Sequence, residues 1–357
     1  MREENKIEIN QKIINYIYIS ISLLISYFVY EIFRQQSLGI LRSDVPGHTK
    51  IIKALVEKGE LIAHPFFHLL AAGLKITLFL SYERSVSILL FLLFVLSVSI
   101  TERIIGIKNR SLSLFISCLI NISPAFFSNF FLGNFYAGTG GVAIYHNPTL
   151  VLLKPVALFL YYEIIEKKRK CFFYLVPLTV FIKPSFAMSF LPFYFLLSIK
   201  KASWIFKEKH FFACSFISLA FIYFQYTFYY TGGNGVEIRP FAVWNHYSPS
   251  PFLSYLLANL FPLCVFFFYR KKKELLIFQL TSALFCILFA EKMNRFYDGN
   301  FFWTYFMSIY VFFVISFKVL LSEKRDKRFF FCCFIFTGHV ITGILYIKNY
   351  LSTHLFM

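Results

Sequence analysis

The chain has 357 residues, 58% of them hydrophobic and 21% aromatic, with 50 Phe, 23 Tyr and only 15% charged, against about 25% charged in an ordinary soluble domain. That composition excludes a soluble globular protein, because no stretch is polar enough to cover a water-facing core. Lys and Arg outnumber Asp and Glu by 36 to 18, and membrane topology, rather than nucleic acid, is the first explanation to test.

The first apolar run, Ile13 to Phe33, is long enough to cross hydrocarbon and no small-residue cleavage site follows it, so it is expected to remain as a first helix. Further runs cover about 85–101, 111–131, 148–165, 172–199, 211–230, 252–269, 275–290, 300–318 and 329–347. The run 172–199 is interrupted by Lys183-Pro184-Ser185 and flanked by Lys167-Lys168-Arg169-Lys170 and Lys200-Lys201. Basic flanks favour the cytoplasm, so both of its ends belong there. A segment that starts and ends on one side is a hairpin: two short helices with Lys183 at the turn, tolerated only where protein surrounds them.

With that split, the basic loops 102–110, 166–170, 200–209, 270–274 and 318–328 share one side, each with net charge +2 or +3. The opposite side receives 132–147, 183–185, the charge-neutral loops 231–250 and 291–299, and the C-terminus. Alternation then requires 34–84 to be one long outer loop in spite of its net charge of +3. Its stretch from Gly47 to Gly59 is amphipathic, and Pro65 to Leu80 reads as a helix lying at the interface. The expectation is one all-α polytopic membrane domain over 1–357, with about 11 transmembrane helices, N-terminus inside, C-terminus outside, and two surface-lying helices in the first outer loop. The seven cysteines, at 118, 171, 214, 264, 286, 332 and 333, sit in apolar runs without CxxC and suggest neither a disulfide framework nor a zinc site.

The residues able to do chemistry collect on the outer side, and the midplane reads as dry, which disfavours a coupled transporter. Asp44, in Arg42-Ser43-Asp44-Val45-Pro46-Gly47-His48, is either a helix-capping aspartate or a general base at the membrane surface, ionised because it is near bulk water. His64 and His68 share a helix face and with His48 form a weak metal pattern; interfacial histidines beside an apolar face are the blander reading. Asn147 before Pro148 fits a helix N-cap, which leaves His146 available to a substrate. Lys183, at the tip of a buried hairpin, needs an anion unless it snorkels to the surface. Arg239 and Arg295 add outer cations suited to phosphate, although Glu291 and Arg295 are spaced as an ordinary helical ion pair. Trp303 fits an interfacial aromatic belt or a platform for a sugar ring.

In Ser43-Asp44-Val45-Pro46-Gly47-His48, Ala63-His64-Pro65-Phe66-Phe67-His68-Leu69-Leu70 and Ile182-Lys183-Pro184-Ser185 the chain resembles the GT-C glycosyltransferases, membrane enzymes that take a sugar from a polyprenyl-phosphate carrier. The resemblance covers the architecture of roughly the first 200 residues. It implies Asp44 as the base that deprotonates the acceptor, and Lys183, Arg239 and Arg295 as ligands of the lipid phosphate. His48, His64, His146 and Trp303 are the candidate substrate contacts. Many members carry a second acid beside the first; here Val45 stands in that place, so metal-assisted chemistry is not supported and no cofactor is expected. The implied partners are a polyprenyl-phosphate-linked sugar, a glycan or lipid acceptor and membrane lipids, with no nucleic acid, in a bacterial inner membrane. An O-antigen or capsular polysaccharide polymerase, and a lipid-linked oligosaccharide flippase or transporter, are the alternative readings.

Overall fold

The computed structural model describes residues 2–123, 147–199, 208–229, 236–248, 250–293, 296–298 and 301–354. A 36-residue helix, α1 (Arg2–Ser37), is followed by two short helices, α2 (Val45–Lys58) and α3 (Phe66–Thr77), then α4 (Tyr82–Ile105) and α5 (Arg110–Ile122). Then come α6 (Pro148–Tyr161), which runs on through a π turn over Tyr162–Glu166, and a 3-10 turn (Lys170–Leu175) leading into α7 (Val176–Ile182). The chain continues through α8 (Ser185–Ser198), α9 (Lys209–Tyr229), α10 (Ala242–Tyr247), α11 (Pro251–Ala258), α12 (Leu260–Tyr269), α13 (Lys273–Leu288), α14 (Phe302–Leu321) and α15 (Lys327–Thr353).

Among the described residues, six helices are long and apolar enough to cross a membrane, and the count is seven if α11 and α12, bent by 69° at their junction, are taken as one span. This is a multi-pass helical membrane protein. The apolar stretches of α6 and α14 are each 83% buried, against 11% for α1 and 22% for α9, so α6 and α14 form the centre and α1 and α9 the periphery. The expected segments near 111–131 and 275–290 appear as α5 and α13, of 13 and 16 residues.

The hairpin expected at Lys183 is present. The Phe173 ring lies 4.7 Å from that of Tyr194, so the two arms run back along each other and turn at Lys183-Pro184. Ion pairs tie the basic loops to one end of the helix array: Lys170 to Glu208 at 2.6 Å, Lys272 to Glu166 at 2.6 Å, and Lys271 to Glu323. The N-terminal half of α1 reaches the same end, where Asn109 donates to Asn15 at 3.0 Å.

At the other end the chain closes on itself. The Tyr350 hydroxyl donates to the Arg42 carbonyl at 2.9 Å and accepts from Gln36 at 3.1 Å, while the Arg42 N–H donates to the His354 carbonyl. The two short helices expected between the first and second long apolar helices are α2 and α3, beginning at Val45 and Phe66.

Two features depart from the sequence expectation. The loops read as separate outer segments pair into a three-stranded antiparallel sheet of β1 (Val236–Ile238), β2 (Phe289–Met293) and β3 (Phe296–Asp298), with Val236 opposite Glu291 and Glu291 opposite Asp298. Glu291 is therefore in a strand, and the helical Glu291–Arg295 pair is withdrawn; Arg295 lies outside the described residues. The interior is also less dry than its composition suggests. Gln279 donates to Asn259 at 2.9 Å, Asn259 donates to the Tyr305 hydroxyl at 2.8 Å, and Ser308 donates to Gln279. These neutral groups satisfy one another, as buried polar groups in hydrocarbon must. The break between α11 and α12 falls at Asn259, and the His339 Nε2 accepts the Phe261 N–H at 3.3 Å just beyond it.

Candidate functional site

Asp44 stands at the N-cap of α2, yet its side chain makes no capping bond. The hydroxyl of Ser43 accepts the Val45 N–H instead, at 3.3 Å. The Asp44 carboxylate accepts a bond from the Asn147 side-chain amide at 3.3 Å. Asn147 is buried and serves two elements at once: its amide oxygen caps α6 by accepting the Leu150 N–H at 3.2 Å and also accepts the Thr149 hydroxyl at 2.7 Å. The capping reading of Asn147 thus holds, and its amide nitrogen orients Asp44 besides.

Contact with water alone does not describe the Asp44 carboxyl. The residue retains exposed surface, but the protein closing around its carboxyl desolvates it and raises its pKa. The Asn147 hydrogen bond and the positive charge of Lys183 oppose that rise. Desolvation is the largest of the three, so the group is a stronger base than a free aspartate.

Lys183 ends α7 in an extended backbone conformation, with Pro184 starting the next helix. Its ammonium lies 4.9 Å from the centroid of the Trp303 ring. Trp303 is 6% exposed, so it supports Lys183 rather than offering a free face to a sugar. Lys183 also lines a cavity of about 210 Å³ with His64, Ser185, Gln225, Glu291 and Thr304. That volume is below the roughly 300–1,000 Å³ of pockets that enclose a whole ligand, and it suits a head group. A larger cavity, about 490 Å³, lies at the basic end of the array and includes none of these residues.

The histidines form a directed chain. The His64 Nδ1 faces the Val180 carbonyl at 3.2 Å, and the His68 Nδ1 faces the His64 carbonyl at 3.3 Å. A carbonyl only accepts, so both Nδ1 atoms carry protons and the Nε2 atoms of the neutral rings do not. The His48 Nδ1 must then donate to the His68 Nε2, at 2.8 Å. Burial holds His64 and His68 down at about 4, and the charge of Lys183 adds to the effect at His64. With His48 and His68 bonded to each other and His64 turned to a carbonyl, the three do not converge on an ion. No group of three or more metal-ligating side chains is found among the described residues.

The structure thus gathers Asp44, His64, Lys183 and Trp303 at one end, with the His48–His68 pair adjoining through His64. Arg239 is exposed, its N–H bonded to the Leu288 carbonyl at 2.8 Å beyond β1, and it does not line the cavity. Arg239 is thus not brought into that cavity beside Lys183. His146 and Arg295 lie outside the described residues. Sequence reasoning missed Gln225 and Glu291 as lining residues. Gln225 had a legible signal, a lone amide inside the apolar run of α9; Glu291 had none, because its place depends on pairing with β1. In comparisons with known proteins, no family model, no curated protein and no solved structure matches the chain.

Proposed function

We propose that the chain is a GT-C-like glycosyltransferase with eleven crossings in a bacterial inner membrane, moving a sugar from a polyprenyl-phosphate donor to a glycan or lipid acceptor at the outer face. The observation that carries this reading is the Asp44 carboxylate, which is not engaged in capping, is oriented by Asn147, and lies in the field of Lys183 beside a head-group-sized cavity. The gathering of the basic loops at one end and of Asp44, Lys183 and Glu291 at the other supports the eleven-crossing topology.

In this reading Asp44 takes the proton of the acceptor hydroxyl, and the oxygen attacks the anomeric carbon of the donor sugar. The carbon–oxygen bond to the phosphate breaks and polyprenyl phosphate leaves with the bonding pair. Lys183 offsets the charge that collects on the leaving phosphate, where a fixed cation shielded from water acts strongly. A flippase would need a polar path between the two ends, and among the described residues the interior polar groups Gln279, Asn259 and Tyr305 are bonded to one another instead.

The test uses purified protein in vesicles, given polyprenyl phosphates carrying radiolabelled hexoses or pentoses and a pool of glycan and lipid acceptors. The expected result is sugar transfer by the wild type and loss of transfer with retained donor binding in Asp44→Asn. Turnover unchanged in that variant removes Asp44 from the mechanism, and a wild type that binds no polyprenyl phosphate ends the glycosyltransferase reading.

A further inference from the structure

The cavity of about 490 Å³ at the basic end is a groove between α4 and α6, walled by Leu96, Ile100, Val156 and Phe159. It falls within the roughly 300–1,000 Å³ of sites that take a sizeable ligand. Leu96, Ser99 and Arg103 are exposed along it, so it opens to the surroundings of the helix array. Its polar end carries Arg103 and Glu163.

These two charges are not equivalent. Glu163 is 3% exposed and its carboxylate accepts from Arg169 at 3.0 Å. Arg103 has no ion-pair partner among the described residues. The mouth of the groove is therefore net positive, with apolar walls behind it. The π turn over Tyr162–Glu166 contributes Tyr162 and Glu163 to the lining, and such turns inside α-helices occur often at functional sites. The turn that follows Glu163 adds Lys167 and Lys168, a surround that attracts the anionic leaflet.

We propose that this groove holds an anionic glycerophospholipid, with one acyl chain along Leu96, Ile100 and Phe159 and its phosphate on the Arg103 guanidinium. The site is distinct from the cavity beside Asp44 and stands whether or not the chain is a glycosyltransferase. Charge complementarity chooses the occupant: a zwitterionic lipid would bring a second cation to a mouth that already has one unmatched. Arginine suits the phosphate because its planar fork donates two parallel bonds.

The experiment is native mass spectrometry of the purified full chain in a neutral detergent, titrated with dioleoyl phosphatidylglycerol and, separately, dioleoyl phosphatidylcholine. The wild type is expected to prefer phosphatidylglycerol by about fivefold, the factor for one basic residue near an anionic head group. Arg103→Gln is expected to abolish that preference, and Ser99→Trp, which fills an exposed stretch of the groove, to reduce binding of both lipids. Lys108→Gln, exposed and outside the groove, is expected to leave the preference unchanged. An equal loss in Lys108→Gln and Arg103→Gln would mean diffuse surface charge and overturn the site. An unchanged preference in Arg103→Gln, or unchanged binding in Ser99→Trp, would overturn it as well.

Discussion

His64 and His68 make an acid-sensitive fastening of the first outer loop, and its size can be worked out. Both are held at about 4 in the folded chain, against about 6.5 for an unperturbed histidine. A group whose pKa is lower folded than unfolded contributes stability that is complete above the unfolded value and is lost as the pH falls from 6.5 toward 4. At pH 5 the unfolded histidine is almost wholly protonated and the folded one barely so, and linkage then gives a loss of about 2 kcal/mol for each. His68 is 1% exposed and should show the full effect; His64 is half-buried and should show less. The assay is unfolding in mild detergent, followed by tryptophan fluorescence at pH 7.5, 6.5, 5.5 and 5, for the wild type and for His68→Asn. That variant is expected to be less stable at every pH, having lost the bond from His48, but its loss between pH 7.5 and pH 5 should be smaller than that of the wild type by about 2 kcal/mol. Equal pH slopes in the two proteins would refute the argument, because His68 would then titrate alike folded and unfolded.

Asp44→Asn should leave the protein at least as stable at pH 7, because Asp44's pKa is raised on folding and ionisation there opposes the folded state. The difference from wild type should shrink as the pH falls below that raised value and vanish below the ordinary 3.8, and a large destabilisation at pH 7 would contradict it. Lys183→Ala should weaken polyprenyl phosphate binding more than turnover in a binding titration; unchanged affinity would reduce Lys183 to a partner of Trp303. Asn147→Ala should cost about 1 kcal/mol through the lost helix cap and lower transfer as well, whereas Asn147→Asp should keep the cap and move the pH profile of transfer to higher pH by placing a second carboxylate beside Asp44. In cells, with native cysteines replaced, Asp44→Cys should be labelled by a membrane-impermeant thiol reagent without opening the membrane, and protection would place the loop on the inner side.

The hairpin at Lys183 was legible because charge told against hydropathy: basic clusters at both ends of one apolar run leave no other path. The two short helices between α1 and α4 were legible from the same alternation, which allowed 34–84 no crossing, and Asp44 drew notice as an acid just before a helix start. The three-stranded sheet was not legible. Its strands are three to five residues long, and β1 meets β2 across some fifty residues of intervening chain, a pairing that local pattern cannot register. Nor could the sequence reveal that Asn147 reaches Asp44, since a residue that fully accounts for itself as a cap gives no hint of a second bond. The chain Val180–His64–His68–His48 was half visible: the four-residue spacing was plain, but the carbonyls that fix each tautomer come from backbone geometry.

The clasp between Arg42 and the last helix sets an order on how the protein is made. Tyr350 and Arg42 are separated by 308 positions, and at about 5–20 residues per second of synthesis roughly 15–60 s pass between them. Throughout that interval the segment bearing Asp44 lacks its contact with α15. The backbone two residues before Asp44 is therefore held by residues made some three hundred positions later, so this end of the helix array is closed only after α15 has been synthesised.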